Sequence, residues 1–104
     1  MSETWQTLYG AGVELVLDGH AHVYERFAPQ TPRGELDAAR GIRQFVVGTG
    51  GAPLMGFGAA RPNSEVRIAD QWGVLELTLH ATSFAWRFVT IDGNAKDEGT
   101  APCH

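Results

Sequence analysis

The stretch from Trp72 to Ile91 constrains the fold of this chain more than any other. Residues 72–80 alternate, with Leu75, Leu77 and Leu79 facing one way and Glu76, Thr78 and His80 the other. After a turn at Ala81-Thr82-Ser83, the run to Ile91 sets Phe84, Trp86 and Phe88 on one face and Arg87 on the opposite one. A period of two is the mark of a strand, and two such strands joined by a short turn form a hairpin with one apolar face. That face has to be covered, so the aromatic stripe reads as core and not as a ligand platform. His80 falls on the polar face with no carboxylate or imidazole at ligand spacing beside it, and reads as a surface residue.

The remaining segments are shorter. Trp5, Leu8 and Tyr9 share a face at helical spacing, so residues 3–11 read as a helix stopped by Gly10 and Gly12. Val13, Leu15, Val16 and Leu17 then form a strand over 13–17. A helix feeding a strand is an α/β unit, and in open α/β sheets ligands collect beyond the carboxyl ends of strands. Residues 28–41, with Pro29, Pro32 and Gly34, read as a surface excursion. Residues 42–47 form a second buried strand and run into Gly48-Thr49-Gly50-Gly51. That run lacks the Lys-Ser/Thr tail and following helix of a nucleotide loop, and reads as a turn that needs positive backbone angles. Residues 52–58 continue as a mobile loop whose Leu54, Met55 and Phe57 are placed to cover part of a cleft. Val66 and Ile68 alternate with Glu65 and Arg67 in a short edge-like strand over 64–70. The tail from Asp92 to Gly99 is turn-rich and acidic, and reads as the end of the domain.

A chain of 104 residues has room for one small domain, burying about 60% of its unfolded surface. A hydrophobic fraction of 43% with 19% charged residues is that of a globular protein. No apolar run approaches the roughly 20 residues needed to cross a bilayer, so a membrane partner is not expected. The net charge is −4 and the eight basic residues are scattered, which argues against nucleic-acid binding through phosphate neutralisation. The start of the chain has no signal-peptide pattern. The single cysteine, Cys103, reads as an exposed thiol near a frayed end, and a Cys103-His104 metal pair lacks groups to orient it.

The chemistry-bearing stretch is Leu17-Asp18-Gly19-His20-Ala21-His22-Val23-Tyr24-Glu25-Arg26-Phe27. Two imidazoles emerge where a buried strand stops. If strand geometry persists, His20 and His22 project to one side with backbones about 6–7 Å apart, a spacing that serves one metal ion or each ion of a bridged pair. A bare His-x-His string also arises by chance, so its context decides its weight. Gly19-His20-Ala21-His22-Val23-Tyr24-Glu25-Arg26 resembles the final signature of the calcineurin-like metallophosphoesterases, and more closely that of the purple acid phosphatases and their bacterial relatives. Phe27-Ala28-Pro29-Gln30, Val46-Val47-Gly48-Thr49-Gly50-Gly51, Trp72-Gly73-Val74-Leu75 and the Cys103-His104 ending are similar to the same bacterial group, so the resemblance spans nearly the whole chain.

That resemblance implies a dinuclear centre of two transition-metal ions that hydrolyses phosphate monoesters, iron being paired with zinc, manganese or a second iron. It implies that His22 ligates the first metal, ferric in the purple enzymes, and His20 the second. Asp18 stands where Asn or Ser is more usual and Ala21 where Asp is frequent; neither change removes a ligand. Asp18, Tyr24 and Arg26 are the candidate substrate-contacting or supporting residues. Arg26 has a planar fork suited to a phosphate oxygen, although an ion pair of Glu25 or Arg26 that braces the following loop is the simpler reading.

The family's other ligand motifs, Asp-x-Gly, Gly-Asp-x-x-Tyr, Gly-Asn-His and a further His motif, lie earlier in its chain, and none of them precedes the histidine pair here. Residues 1–104 are therefore expected to be the C-terminal portion of a metallophosphoesterase domain, inactive alone, with the missing N-terminal half or a second copy as partner. The parent family is often secreted. The expected fold is α/β to α+β and strand-rich, part of a two-sheet β-sandwich flanked by helices. Two other readings compete: a non-catalytic β-rich interaction or assembly module, and a mononuclear cupin-like site. The cupin pattern places its glutamate three or four residues after the second His, and its later Pro-x-Gly and His segment is absent.

Overall fold

The computed structural model describes residues 2–56, 58–59 and 61–104; Phe57, one of the expected cleft-covering side chains, lies outside them. The order is α1 (Ser2–Gly10), β1 (Leu15–Asp18), β2 (Tyr24–Phe27), β3 (Arg43–Val47), β4 (Ser64–Ile68), β5 (Gly73–Leu79), β6 (Ser83–Thr90) and β7 (Ala95–Pro102). The chain is strand-rich α+β, with two sheets and one short helix among the described residues.

Helix α1 ends as its glycines suggest. Gly12 takes φ 79°, its N–H bonds the Tyr9 carbonyl at 3.1 Å, and the Val13 N–H reaches back to Leu8 at 3.1 Å. This paired closure needs a left-handed residue, which glycine adopts at no steric cost. The chain then enters β1, which pairs in parallel with β3, Leu17 opposite Phe45. The first sheet runs β1-β3-β2-β4, with β2 antiparallel to both its neighbours; the second is the antiparallel meander β5-β6-β7.

The two sheets meet through large side chains that a period of two delivers to one face. Tyr24 of β2 stacks on Phe88 of β6 with ring centroids 4.2 Å apart and planes 12° from parallel, and Phe45 of β3 meets Trp86 edge-on at 5.5 Å. Around them pack Leu15, Val47, Val66 and Ile68 from the first sheet and Leu75, Leu77 and Ala101 from the second. The aromatic stripe is core, as the alternation requires.

Two segments depart from the sequence reading. Tyr24–Phe27, which the sequence reading assigned to no element, is a central strand, hydrogen-bonded on both sides. The tail expected to end the domain is strand β7, paired with β6 from Pro102 to Ala95. Its Ala, Lys, Asp, Glu and Gly have low strand propensity, so no local signal marks it. What places it is what it meets. A Cβ on Gly99 would lie 2.5 Å from the Trp86 ring, so only glycine leaves room for the indole there. Asp97 accepts hydrogen bonds from Tyr24 Oη at 2.6 Å and Arg26 Nε at 2.8 Å, joining β7 to the opposite sheet.

Candidate functional site

Because β1 and β3 run in parallel, their carboxyl ends emerge on one side, where Gly19–Val23 and Gly48–Met55 lie against each other. The expected extended geometry does not persist through the histidines. Strand β1 stops at Asp18, and the Ala21 N–H bonds the Gly19 carbonyl at 2.9 Å around His20, whose φ is 71°. The Val23 N–H then bonds the Ala21 carbonyl at 2.9 Å around His22. Each histidine is thus the central residue of a three-residue turn, and the turn at His20 is of the rare positive-φ kind that stores strain. Such strain persists only where surrounding structure enforces it.

The enforcing contact comes from the glycine run. A Cβ on Gly48 would sit 2.0 Å from the Ala21 carbonyl oxygen and 2.8 Å from its carbon. The Gly48 N–H donates to Val23 at 3.0 Å, and the Met55 N–H to the His22 carbonyl at 3.1 Å. The glycine run was expected to be a turn that needs positive backbone angles, and one of its glycines supplies that. Gly51 alone among them has a positive φ, 139°, while Gly48 is required by close approach.

His22 Nδ1 lies 2.8 Å from the Pro53 carbonyl oxygen. A carbonyl only accepts, so Nδ1 carries the proton in the neutral ring and Nε2 keeps its lone pair available for a metal. A backbone carbonyl orienting a ligating imidazole through its second nitrogen is the usual supporting arrangement of metal sites. His20 is exposed and has no hydrogen-bond or ion-pair partner among the described residues. Two imidazoles, each with a nitrogen that carries no hydrogen bond, thus stand two residues apart. Among the described residues no group of three His, Cys, Asp or Glu side chains stands together to hold an ion.

The other candidates are placed differently. Asp18 accepts a hydrogen bond from Gln44 Nε2 at 2.6 Å, one residue before the turn. Tyr24 and Arg26, two apart on β2, both face the second sheet. Tyr24 is fully buried; its desolvation and its bond to Asp97 push the phenol far above its ordinary pKa. Arg26 pairs with Asp97 and Glu65 and lies 5.1 Å from the centre of the Trp86 ring, with Arg43 4.9 Å from the same ring. Burial alone would raise the Asp97 carboxyl, but the bonds from Arg26 and Tyr24 outweigh it and hold the group below the usual carboxylate range. Glu25, on the opposite face, pairs with Arg67 at 3.6 Å and accepts from Ser64 Oγ at 2.6 Å. The expected ion pairing of Glu25 and Arg26 is therefore present, bracing sheets rather than a loop.

Sequence reasoning passed over Arg61. With Arg67 it lines a cleft of about 190 Å³ shared with Ala21, Val23 and Met55, directly beside the histidine turns. Its position is set by the loop's path, and no spacing motif signals it. His80 is exposed, as expected, and Cys103 is a free exposed thiol. The C-terminus is tied down rather than frayed: the His104 N–H donates to Glu14 Oε1 at 2.6 Å and its ring Nε2 lies 3.0 Å from the Gly41 carbonyl. Compared with family models and with curated proteins, the chain matches none.

Proposed function

We propose that this chain is the C-terminal portion of a calcineurin-like metallophosphoesterase domain of the purple acid phosphatase kind, one part of a two-sheet β-sandwich. In this reading it contributes two of the ligands of a dinuclear centre that hydrolyses phosphate monoesters. His22 holds the first metal through Nε2 and His20 the second. When bound, the ions would supply an activated water and neutralise charge on the phosphoryl group. The chain's own residues do the positioning: Pro53 fixes the His22 tautomer, Gly48 seats the turn, and Arg61 offers a cation beside it.

The observation that carries the proposal is the Nδ1 bond of His22 to Pro53 at the carboxyl end of a parallel strand. A histidine kept merely for packing needs no fixed tautomer. Catalytic ions take about three protein ligands each, so two histidines make an incomplete centre and turnover by the isolated chain is not expected. The test is hydrolysis of a chromogenic aryl phosphate by the purified chain with iron, zinc or manganese, beside a His20→Ala/His22→Ala variant, with zinc binding followed by equilibrium dialysis. Zinc binding lost in the variant, without turnover in either protein, supports the proposal. Turnover that the variant loses overturns the incomplete-centre reading, and equal zinc binding by both proteins overturns the ligand assignment.

The assembly-module reading draws on a separate observation, an unprotected sheet edge.

A further inference from the structure

Strand β5 forms a free edge of the second sheet, and its backbone polar groups can be assigned one by one. The His80 N–H bonds the Ser83 carbonyl and the Ile91 N–H bonds the Trp72 carbonyl, so the even-numbered residues of this strand turn their polar groups toward β6. The odd-numbered ones face away. Gly73 is already used, its N–H donating to Thr49 and its carbonyl accepting the Thr49 hydroxyl at 2.9 Å. The N–H and C=O groups of Leu75, Leu77 and Leu79 are left as an open row with no partner among the described residues.

The other edges carry the features that discourage strand addition. Strand β1 has only four residues and ends in Asp18, and β4 carries Glu65, Arg67 and a register shift against β2. Strand β7 carries Lys96, Glu98 and Pro102. By contrast β5 pairs with β6 through seven consecutive residues without a shift, and it contains no Lys, no Pro and one charge, Glu76. Its Leu79 is 74% exposed and its Val74 61%.

We propose that this edge is the docking surface for a second copy of the chain, β5 pairing antiparallel with β5 about a two-fold axis at Leu77. The register follows from the open row. Placing Leu77 opposite Leu77 sets Leu75 opposite Leu79 at both ends, so all six open groups on each strand find partners. A two-residue slip either way loses one of the three pairs, because Gly73 is occupied at one end and β5 has ended at the other. The same register sets Glu76 opposite Thr78 of the second copy, so the two carboxylates do not face each other. It also lays Leu75 of one copy over the exposed Leu79 of the other. The edge is therefore complementary to itself in hydrogen bonds, charge and apolar surface, which is what a two-fold interface requires. The result is a continuous six-stranded sheet, and it is independent of the metal-site reading, since neither His20 nor His22 lies on this edge.

The experiment is light scattering on the eluting chain at about 100 μM, with amide hydrogen exchange at high and low concentration. The expected mass is twice 11.3 kDa, with exchange at Leu75, Leu77 and Leu79 slowing as concentration rises. Thr78 is exposed, so Thr78→Glu leaves the protomer folded by circular dichroism while setting like charges opposite each other twice across the axis, weakening the dimer about tenfold. Adding Glu76→Lys to Thr78→Glu makes both facing pairs opposite in charge and restores it. A monomer at 100 μM overturns the proposal. So does a dimer indifferent to Thr78→Glu, or one not rescued by the second change.

Discussion

Replacing Gly48 by alanine probes the contact that shapes the histidine turn. The new Cβ would stand 2.0 Å from the Ala21 carbonyl oxygen and 3.2 Å from the His22 Cα. The first distance is about 1 Å inside the closest approach such atoms tolerate, and both neighbours are backbone, so no side-chain rotation relieves the clash. The turn has to move, and that strains the Gly48 to Val23 and Met55 to His22 hydrogen bonds. Overpacking of this kind costs about 1–3 kcal/mol. For a chain of this size 1 kcal/mol moves the melting temperature by about 4–8 °C, so a drop of roughly 10 °C is expected.

Two neighbours make the experiment discriminating. Gly50 has nothing within 4 Å of its would-be Cβ and no positive φ, so Gly50→Ala should change stability by less than about 0.5 kcal/mol. Gly51 has equally open space but φ 139°, so Gly51→Ala should destabilise by about 1–3 kcal/mol through backbone strain. Thermal unfolding ranks the three, and the His20 and His22 side-chain resonances report where the damage lies. They should shift strongly in Gly48→Ala. A Gly48→Ala protein with an unchanged melting temperature and unchanged histidine resonances would refute the assignment of Gly48 as the seat of the turn.

Long-range nitrogen–proton correlation spectra of the neutral His22 ring should show it protonated on Nδ1; protonation on Nε2 would contradict the Pro53 bond. His20→Gly should raise the denaturant midpoint, by about 1 kcal/mol of relieved left-handed strain, while removing one zinc-binding position. Phe88→Ala deletes a fully buried ring stacked on Tyr24 and should cost about 3–5 kcal/mol, a large share of a small domain's stability, seen as an early or non-cooperative urea transition. The Asp97 pKa is depressed in the fold, so its contribution is present above the unfolded carboxylate value near 3.8 and is lost as pH falls through the lower folded value. Urea midpoints measured below about pH 4 should therefore fall for the parent chain and fall less steeply in Asp97→Asn.

The sequence by itself determined the features that rest on local patterning. The β5–β6 hairpin, the burial of Phe84, Trp86 and Phe88, the helix stop at Gly12 and the emergence of the histidine pair at a strand's end all follow from a period of two or from turn chemistry within a few residues. Such signals are carried by neighbours in the chain. Tertiary structure alone decided the rest. Strand β7 has an unfavourable composition and exists because Asp97 meets Tyr24 and Arg26 from more than 70 residues away, and because Gly99 makes room for Trp86. Tyr24 and Arg26, which sequence motif places beside the histidines, are turned by the pleat of β2 into the space between the sheets. The histidines sit at the centres of two tight turns instead of along an extended strand because Gly48, just past the end of the neighbouring parallel strand, presses its backbone against Ala21. Each of these outcomes depends on which distant backbone or side chain occupies the adjoining space, a quantity that no window of local sequence contains.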